Sequence, residues 1–460
     1  MAVADRAKRP RLYLGVDIGG TKIQTALAEE SGVLLARERC STPREVGPEE
    51  VVAAVERLIE GILGKQDVTV SALTALGVAV PGVVDSGIGR IIVTPNMTLS
   101  GLSLGPHLET RFQVPVALGN DCNLGILGES WLGSARRATS AVGIFVGTGI
   151  GGGFVRKGKL WRGAREAAGE IGHIVMQIGG PKCGCGNHGC LEALASRTAI
   201  ENQLRAAIDA GRKTALTELL EGDLRVIRSS ALRQALNRQD PLVTEIMRHT
   251  SEILGYACLT VRHLIDPEVI VLGGGVVEAC SDYIMPIVEN IVGADRLPGA
   301  RPGGRVLASA LGDDAVSLGA VALARISLGR SPFKKRFAVS PSYPTISRPG
   351  AGEIVVDGKS YTHDLYITVN GNVERRKKKS AQLDPAAPQA IGPKDLETLC
   401  QGGPEVAFIG TGEAGAIALN DEAHRYLAQR SIECVALPTP EVIDAYNRSK
   451  LRKAALIHVS

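Results

Sequence analysis

Two stretches of this chain follow one plan, and that repetition constrains the fold more than any other feature. Residues 11–28, RLYLGVDIGGTKIQTALA, run as an apolar strand into a Gly-Gly-Thr turn and out again as a second strand. Residues 141–155, AVGIFVGTGIGGGFV, do the same through a Gly-Thr-Gly turn. A glycine turn between strands exposes backbone N–H groups, which suits a phosphate oxygen. Many ordinary hairpins share that pattern, so one such turn decides little. Two of them predict two similar lobes facing each other, with phosphates between. Asp17, at the end of the first strand, can orient a hydrated Mg2+, and Thr21 and Lys22 can reach phosphate oxygens.

An α/β pattern fills the chain around these units. Val51, Val52, Val55, Leu58, Ile59 and Ile62 recur at helical spacing, which predicts an amphipathic helix over 51–63. Residues 73–83 read as a buried strand ending at Pro81-Gly82, and 91–96 lead to Thr94-Pro95-Asn96. The strand within 114–123 delivers Asn120 and Asp121 at its carboxyl end, where open α/β sheets bind ligands. Asp121 there is a candidate general base, or else the N-cap of a helix starting near Leu124. A long helical region spans 197–263. Residues 266–275, DPEVIVLGGG, form a buried strand opening onto Gly273, Gly274 and Gly275, a surface on which a flat ligand can lie. Residues 311–328 begin with acidic capping residues and continue as an apolar helix.

The densest cluster of chemistry lies in 170–192, EIGHIVMQIGGPKCGCGNHGCLE. Cys183, Cys185 and Cys190 with His173 make three thiolates and an imidazole, the ligand set of a closed tetrahedral zinc site. Cysteines are also common apolar filler. Three so close in a glycine-rich run that cannot pack as a core helix favour the metal.

Composition narrows the setting. A chain of 460 residues has room for two or three domains. Its net charge of +4 and 3% aromatic content give no footing for a nucleic-acid partner. The nine cysteines, an odd number with three in the metal cluster, are no disulfide framework and point to a reducing compartment. No secretory signal is visible, and no run approaches the ~20 apolar residues that span a bilayer. A cytoplasmic protein with no membrane contact is expected.

Taken in order, GVDIGGTK (15–22), Thr94 to Asn96, GND (119–121), GTGIGG (147–152) and the 170–192 stretch are similar to ROK-family sugar kinases, in particular bacterial glucokinases. The resemblance covers 11–330. It implies a two-lobed, actin-like (ribonuclease-H-like) ATPase fold. The first lobe would hold 11–118 plus a return helix at 311–330, and the second 119–310. It implies that Asp121 removes the proton from the sugar hydroxyl, and that Asn96, Asn120, Glu170, His173 and Glu192 hold sugar hydroxyls beside it. It implies further that Asp17, Gly19, Gly20, Thr21, Lys22, Thr148 and Gly149 face phosphates, and that Gly273 to Gly275 face adenosine. ATP, Mg2+ and Zn2+ would be the cofactors, His173 serving metal and sugar through its two ring nitrogens, and a homodimer is common among such proteins. Two departures stand out: the loop after Asn96 lacks a tryptophan found in many members, and Cys122 and Leu124 replace small residues. The family's repressors carry an N-terminal helix-turn-helix, for which the first strand starts too early.

From 331 to 350, prolines interleave with Lys334, Lys335 and Arg336, which predicts a linker. Residues 351–460 then restart a pattern of short strands and helices, a small α/β domain. IGTG at 409–412, the Thr439 loop and Ala445-Tyr446-Asn447 resemble a small α/β family of unknown biochemical function that includes a mitochondrial complex I assembly factor. Gly410, Gly412 and Gly415 also match the spacing of a dinucleotide fingerprint, although the domain is short for one. The basic run 375–379, without interleaved aromatics, reads as a solvated edge. The leading expectation is an ATP-dependent hexokinase with glucose as its sugar. Two alternatives are a sugar-sensing scaffold whose tail binds a protein partner, and a kinase that uses polyphosphate.

Overall fold

The computed structural model describes residues 10–43, 46–95, 97–297, 304–333, 343–350, 352–369, 371–376, 391–400, 403–429 and 432–459. The chain divides into two compact units, 1–336 and 337–460.

In the first unit, the strands β1 (Leu12–Ile18), β2 (Lys22–Glu29), β3 (Leu34–Ser41), β4 (Leu73–Val80) and β7 (Val116–Asn120) form one sheet in the order β3-β2-β1-β4-β7. Between β4 and β7 lies a two-stranded hairpin, β5 (Val83–Asp85) and β6 (Arg90–Val93). A second sheet has the order β10-β9-β8-β11-β12, from β8 (Ser140–Val146), β9 (Ile150–Arg156), β10 (Lys159–Leu160), β11 (Val269–Gly273) and β12 (Arg305–Ala308). The two sheets share one topology. In each, the first three strands form an antiparallel meander, and the remaining two run parallel to the first. The echo seen in the two glycine turns is therefore a repeat of a whole lobe.

Helix α1 (Pro48–Lys65) covers the first sheet with Val51, Val55, Ile59 and Ile62, all buried, and Pro48 opens its first turn. Helix α2 (Leu104–Phe112) follows the hairpin, and α3 (Asp121–Trp131) follows β7. The second lobe is helix-rich: α4 (Leu191–Ala195), α5 (Arg197–Asp209), α6 (Leu216–Leu219), α7 (Ser229–Asn237), α8 (Pro241–Ile265) and α9 (Gly275–Gly293). Asp240 caps α8, its side chain accepting from Val243 N at 2.8 Å.

After β12 the chain returns to the first lobe as α10 (Asp314–Ser327), which packs on β1, β4 and β7 and along α3, while α3 packs on β8 and β9 of the second lobe. The two helices fill the space between the sheets at backbone contact. A Cβ on Gly15 would lie 2.1 Å from the Ser317 carbonyl oxygen, and one on Gly77 would lie 1.9 Å from that of Ala320. Gly15 and Gly77 are paired across β1 and β4, so they form one flat floor under the helix. Gly128 and Gly319 do the same where α3 meets α10, with Cβ positions 2.1 Å from Ala315 O and 1.7 Å from Leu124 O.

The second unit has a sheet in the order β17-β16-β20-β18-β19, from β16 (Leu365–Ile367), β17 (Val373–Arg375), β18 (Val406–Gly410), β19 (Glu433–Leu437) and β20 (Lys453–Ile457). Helices α11 (Pro393–Leu399) and α12 (Asp421–Gln429) cover one face, and α13 (Thr439–Arg448) the other. A separate antiparallel sheet, β13 (Ile346–Gly350), β14 (Glu353–Val356) and β15 (Lys359–Tyr361), packs with α13. The expected linker therefore ends early, because Ile346 is buried and pairs with Val356. The dinucleotide reading fails here. The chain after β18 stays a loop until α12 begins at Asp421, so no helix opens at the glycines to receive a pyrophosphate. Lys377, Lys378 and Lys379 of the basic run lie outside the described residues.

The glycine floor makes a test of opposite signs. Gly77→Ala should destabilise the protein by roughly 3 kcal/mol or more, since backbone must move. Gly61→Ala, on the exposed face of α1 with nothing within 4 Å of the new Cβ, should stabilise it by about 0.5–1 kcal/mol. Denaturant unfolding of both variants measures the difference.

Candidate active site

The site is built where β1, β7 and the two glycine turns end. Asp121 is the first residue of α3, and Asn120 before it is the N-cap, its Oδ1 accepting from Asn123 N at 2.9 Å. The capping alternative for Asp121 is thus settled: the helix starts three residues before Leu124, and the asparagine caps it. The Asn120 amide nitrogen donates to Gly82 O and to Asp121 Oδ1, both at 3.0 Å. Cys122 N also donates to Asp121 Oδ1, at 2.8 Å. Neither of these bonds uses Oδ2. Burial raises the Asp121 carboxyl above its usual range, against the lowering effect of these hydrogen bonds. The amide of Asn120 is largely spent inside the protein, with one oxygen lone pair left over.

Asp17 is half-buried at the end of β1, and among the described residues its carboxylate takes no hydrogen bond. Its pKa is pushed up to about 7, first by burial and then by the charge of Asp121, while Lys22 pulls it down. Glu170 is raised by burial and by the charges of Asp121 and Glu192, and lowered by His173. Four carboxylates thus crowd one cleft, a field that calls for a cation or for hydroxyl donors.

The 170–192 stretch folds as a knuckle. Ile171–His173 is one turn of 3-10 helix, and backbone bridges join Val175 to Cys190 and Lys182 to His188. Gly189 has φ 74°, and a Cβ there would meet Gln177 O at 1.7 Å, so the crossing admits only glycine. The donor atoms of His173, Cys183, Cys185 and Cys190 lie within 4.8 Å of one another. Cys185 Sγ and Cys190 Sγ are 3.8 Å apart, and Cys183 Sγ is 3.6 Å from His173 Nδ1. A tetrahedral zinc with sulfur at ~2.3 Å and nitrogen at ~2.0 Å has edges of about 3.8 and 3.5 Å. The residues present fit that ion. Nδ1 is the ring nitrogen on the thiolate side. Glu192 bridges the knuckle and the second glycine turn, its Oε1 accepting from Cys183 Sγ at 3.8 Å and its Oε2 from Ile150 N at 2.9 Å.

The phosphate-facing candidates do not all stand open. Gly20, Thr21 and Thr148 are exposed. Lys22, in contrast, is paired with Asp313 at 2.5 Å, and Gln24 Nε2 donates to Asp313 O at 3.1 Å. Beside them Arg37 grips Asp314 with two bonds of 2.6 and 2.5 Å. This latch joins β2 and β3 to the start of α10. Gly149 lies against the Glu192 carboxylate, and Gly274, at φ 85°, turns β11 into α9. Gly273 is buried and Gly275 exposed. Asn96 lies outside the described residues.

Sequence reading missed Glu129, a carboxylate with no exposed surface. Its Oε1 accepts from Ser309 Oγ at 2.6 Å, Ala310 N at 3.1 Å and Leu311 N at 2.9 Å, and its Oε2 from Ser134 N at 2.7 Å. It fixes the loop that launches α10. Nothing in its helical setting distinguishes it from a surface glutamate.

Two sheets of one topology, each offering a glycine turn to a shared acidic cleft, with a helix returning from the second lobe to the first, define an actin-like, ribonuclease-H-like ATPase fold. Comparison with known proteins then fixes the family. Residues 13–326 match the ROK family, and the chain belongs to it. The glucokinase of Thermotoga maritima is 33% identical over 322 residues, covering 70% of this chain and 99% of that protein. A ROK family glucokinase from Streptomyces griseus, solved with glucose and AMPPNP, superposes with a TM-score of 0.61 at 31% identity, covering 68% of this chain and 99% of that one. The DNA-binding transcriptional dual regulator NagC of Escherichia coli is 27% identical across 68% of this chain and 75% of its own. Residues 346–456 match a separate protein family of unknown function (DUF498/DUF598). Among the described residues no helix is long and apolar enough to cross a membrane.

Asp17 gives the site a measurable signature. Its carboxyl binds a proton more tightly folded, at about 7, than unfolded, near 3.8. Stability from this group is therefore complete below pH 4 and lost as pH rises through 7. Without nucleotide or metal, Asp17→Asn should raise stability at pH 8 by on the order of 1–4 kcal/mol, the gain closing toward pH 4. Thermal melts of both proteins across that range check it.

Proposed function

We propose that this chain transfers the terminal phosphoryl group of ATP to the 6-hydroxyl of a hexose, with glucose as the preferred sugar. The observation that carries this reading is Asp121, a half-buried carboxylate at a helix start on the carboxyl end of β7, whose Oδ1 is pinned by Asn120 and Cys122. A base so held accepts the hydroxyl proton as that oxygen attacks phosphorus, and the bond from phosphorus to the departing ADP oxygen breaks. Its raised pKa makes it a better acceptor than an ordinary surface carboxylate. The identity to glucokinases across nearly their whole length supports the same reading.

Glu170, His173 and Glu192 suit the remaining sugar hydroxyls, and Asn120 has one lone pair for them, though its chief task is to hold Asp121. Carboxylates accept hydroxyl donors, and the His173 nitrogen away from Cys183 can bond a hydroxyl as well. Asn96 joins this group as a proposal from sequence alone. The backbone turns at Gly19-Gly20-Thr21 and Thr148-Gly149 suit the phosphates, and Gly273 to Gly275 suit the base and ribose. Asp17 would hold Mg2+, which supplies charge neutralisation at the phosphates. His173, Cys183, Cys185 and Cys190 would hold zinc, which supplies rigidity to the sugar-facing knuckle and fixes the His173 tautomer.

Two measurements test this. A coupled ADP-release assay over a panel of hexoses should show turnover on glucose. Asp121→Asn should lose about 10²- to 10⁴-fold in kcat while calorimetry still shows glucose binding. Turnover kept in that variant would remove Asp121 as base, and no turnover on any hexose would remove the kinase. For the metal, sites of this kind bind with about 10–16 kcal/mol, so zinc should survive purification at one equivalent per chain and drop in Cys190→Ser. Active protein free of zinc would overturn that assignment.

A further inference from the structure

The junction between α4 and α5 is stitched to the second glycine turn. Arg197 N donates to Gly147 O at 2.9 Å, and Thr198 Oγ1 donates to Thr148 O at 2.8 Å. The Arg197 side chain reaches the same turn, its Nη2 donating to Thr148 Oγ1 at 2.7 Å. Its enclosed Nε makes no hydrogen bond among the described residues and instead faces Glu201 Oε1 at 3.4 Å.

Charge at this end of the cleft differs from that at the first turn. Lys22 is neutralised by Asp313, with Asp17 and Glu278 close enough to shift or be shifted by that pair. Arg197 has Glu201 at 3.4 Å as its counter-ion, but Glu201 is also bound by Arg205 at 2.7 Å. One carboxylate thus serves two guanidinium groups beside the turn. Glu192 touches the turn through Ile150 N, one residue beyond Gly149.

A hydroxyl that accepts from a guanidinium has its own proton left to donate, and the donor is polarised by the cation behind it. Thr148 is exposed, and so its hydroxyl has room for a ligand. We infer that Arg197 is a positioning residue for the phosphoryl donor: it holds the Thr148 hydroxyl as a hydrogen-bond donor to a phosphate oxygen. This rests on the kinase reading for its turnover assay and on no more than nucleotide binding for its direct assay.

The test compares the full chain with Arg197→Ala, Arg197→Lys, Thr148→Val and the double variant Arg197→Ala/Thr148→Val. Arg197→Ala should raise KM for MgATP about ten- to a hundredfold and weaken ADP binding in calorimetry by a similar factor, with KM for the sugar moved less than about twofold. Thr148→Val should have a comparable effect, and the double variant should be little worse than either alone, because the two act through one bond. Lysine should restore part of the loss. Unchanged ADP affinity in Arg197→Ala, additive effects in the double variant, or both KM values rising together with a lower Tm would overturn the inference. These outcomes are separable from failure of the kinase reading. Wild-type protein that binds ADP but phosphorylates no hexose sinks that reading and leaves the calorimetric comparison intact. Wild-type turnover with ADP affinity indifferent to Arg197 sinks this inference alone.

Discussion

The close approach of α10 to β1, β4 and α3 is the constraint on which the two-lobed unit depends. Helices usually pack with axes 8–10 Å apart because side chains separate them. Here four glycines remove those side chains at the points of crossing, and helix carbonyls rest where a Cβ would stand. The chain leaves the first lobe through α3 and re-enters it through α10. These helices touch each other and, respectively, the second and first sheets. Any change of angle between the lobes must pass through this pair. Glu129 reinforces it by holding the residues just before α10 with backbone and hydroxyl donors, an arrangement that lets a carboxylate stay in a dry interior.

The functional cleft inherits its electrostatics from that geometry. β1 and β7 lie on either side of β4, and their carboxyl ends bring Asp17 and Asp121 near enough for each charge to matter to the other. Among the described residues, neither has a cation as direct partner. Lys22, whose charge reaches Asp17, is held by Asp313 at the approach to α10, and Arg37 is held by Asp314 beside it. Carboxylates left raised and unpaired cost stability, and such a cost is tolerated where a ligand later relieves it. The acidic cleft and the ion pairs that deny it cations are two parts of one arrangement.

Much of this was legible in the sequence because glycine and cysteine patterns carry geometry. The paired glycine turns correctly implied two lobes of one design, and the run from Glu170 to Glu192 correctly gathered His173 with the three cysteines. What escaped was long-range pairing. Nothing near Lys22 signals Asp313, and nothing near Glu129 signals Ser309. Nor does Arg197, the first residue of a helix after a good N-cap serine, reveal that it lies over a turn some fifty residues earlier. Local pattern fixes elements. Which side chains meet across lobes is decided by how the elements dock.

The second unit shows the same limit from the other side, since motifs that look functional in sequence are spent on structure. Asn447 pairs with Ile346 through both its amide atoms, acting as one more rung for β13. Tyr446 is buried with the Lys453 ammonium 4.0 Å over its ring, and that lysine donates to Ser449 O at 2.8 Å at the end of α13. Thr439 N is taken by Gly412 O, and Thr439 Oγ1 donates to His458 O at 2.8 Å. With Pro440 next in line, little of the α13 N-terminus is left to bind an anion. The buried relay from Tyr366 through Asp395 and Arg376 to Asp364 is likewise internally satisfied. Polar groups held in this way specify a register and a docking angle, while the buried Tyr446 hydroxyl has no hydrogen-bond partner among the described residues. In this unit the recognisable residues mainly build the fold, whereas in the first unit Asp17, inside an equally recognisable motif, accepts no hydrogen bond among the described residues and is left to a ligand.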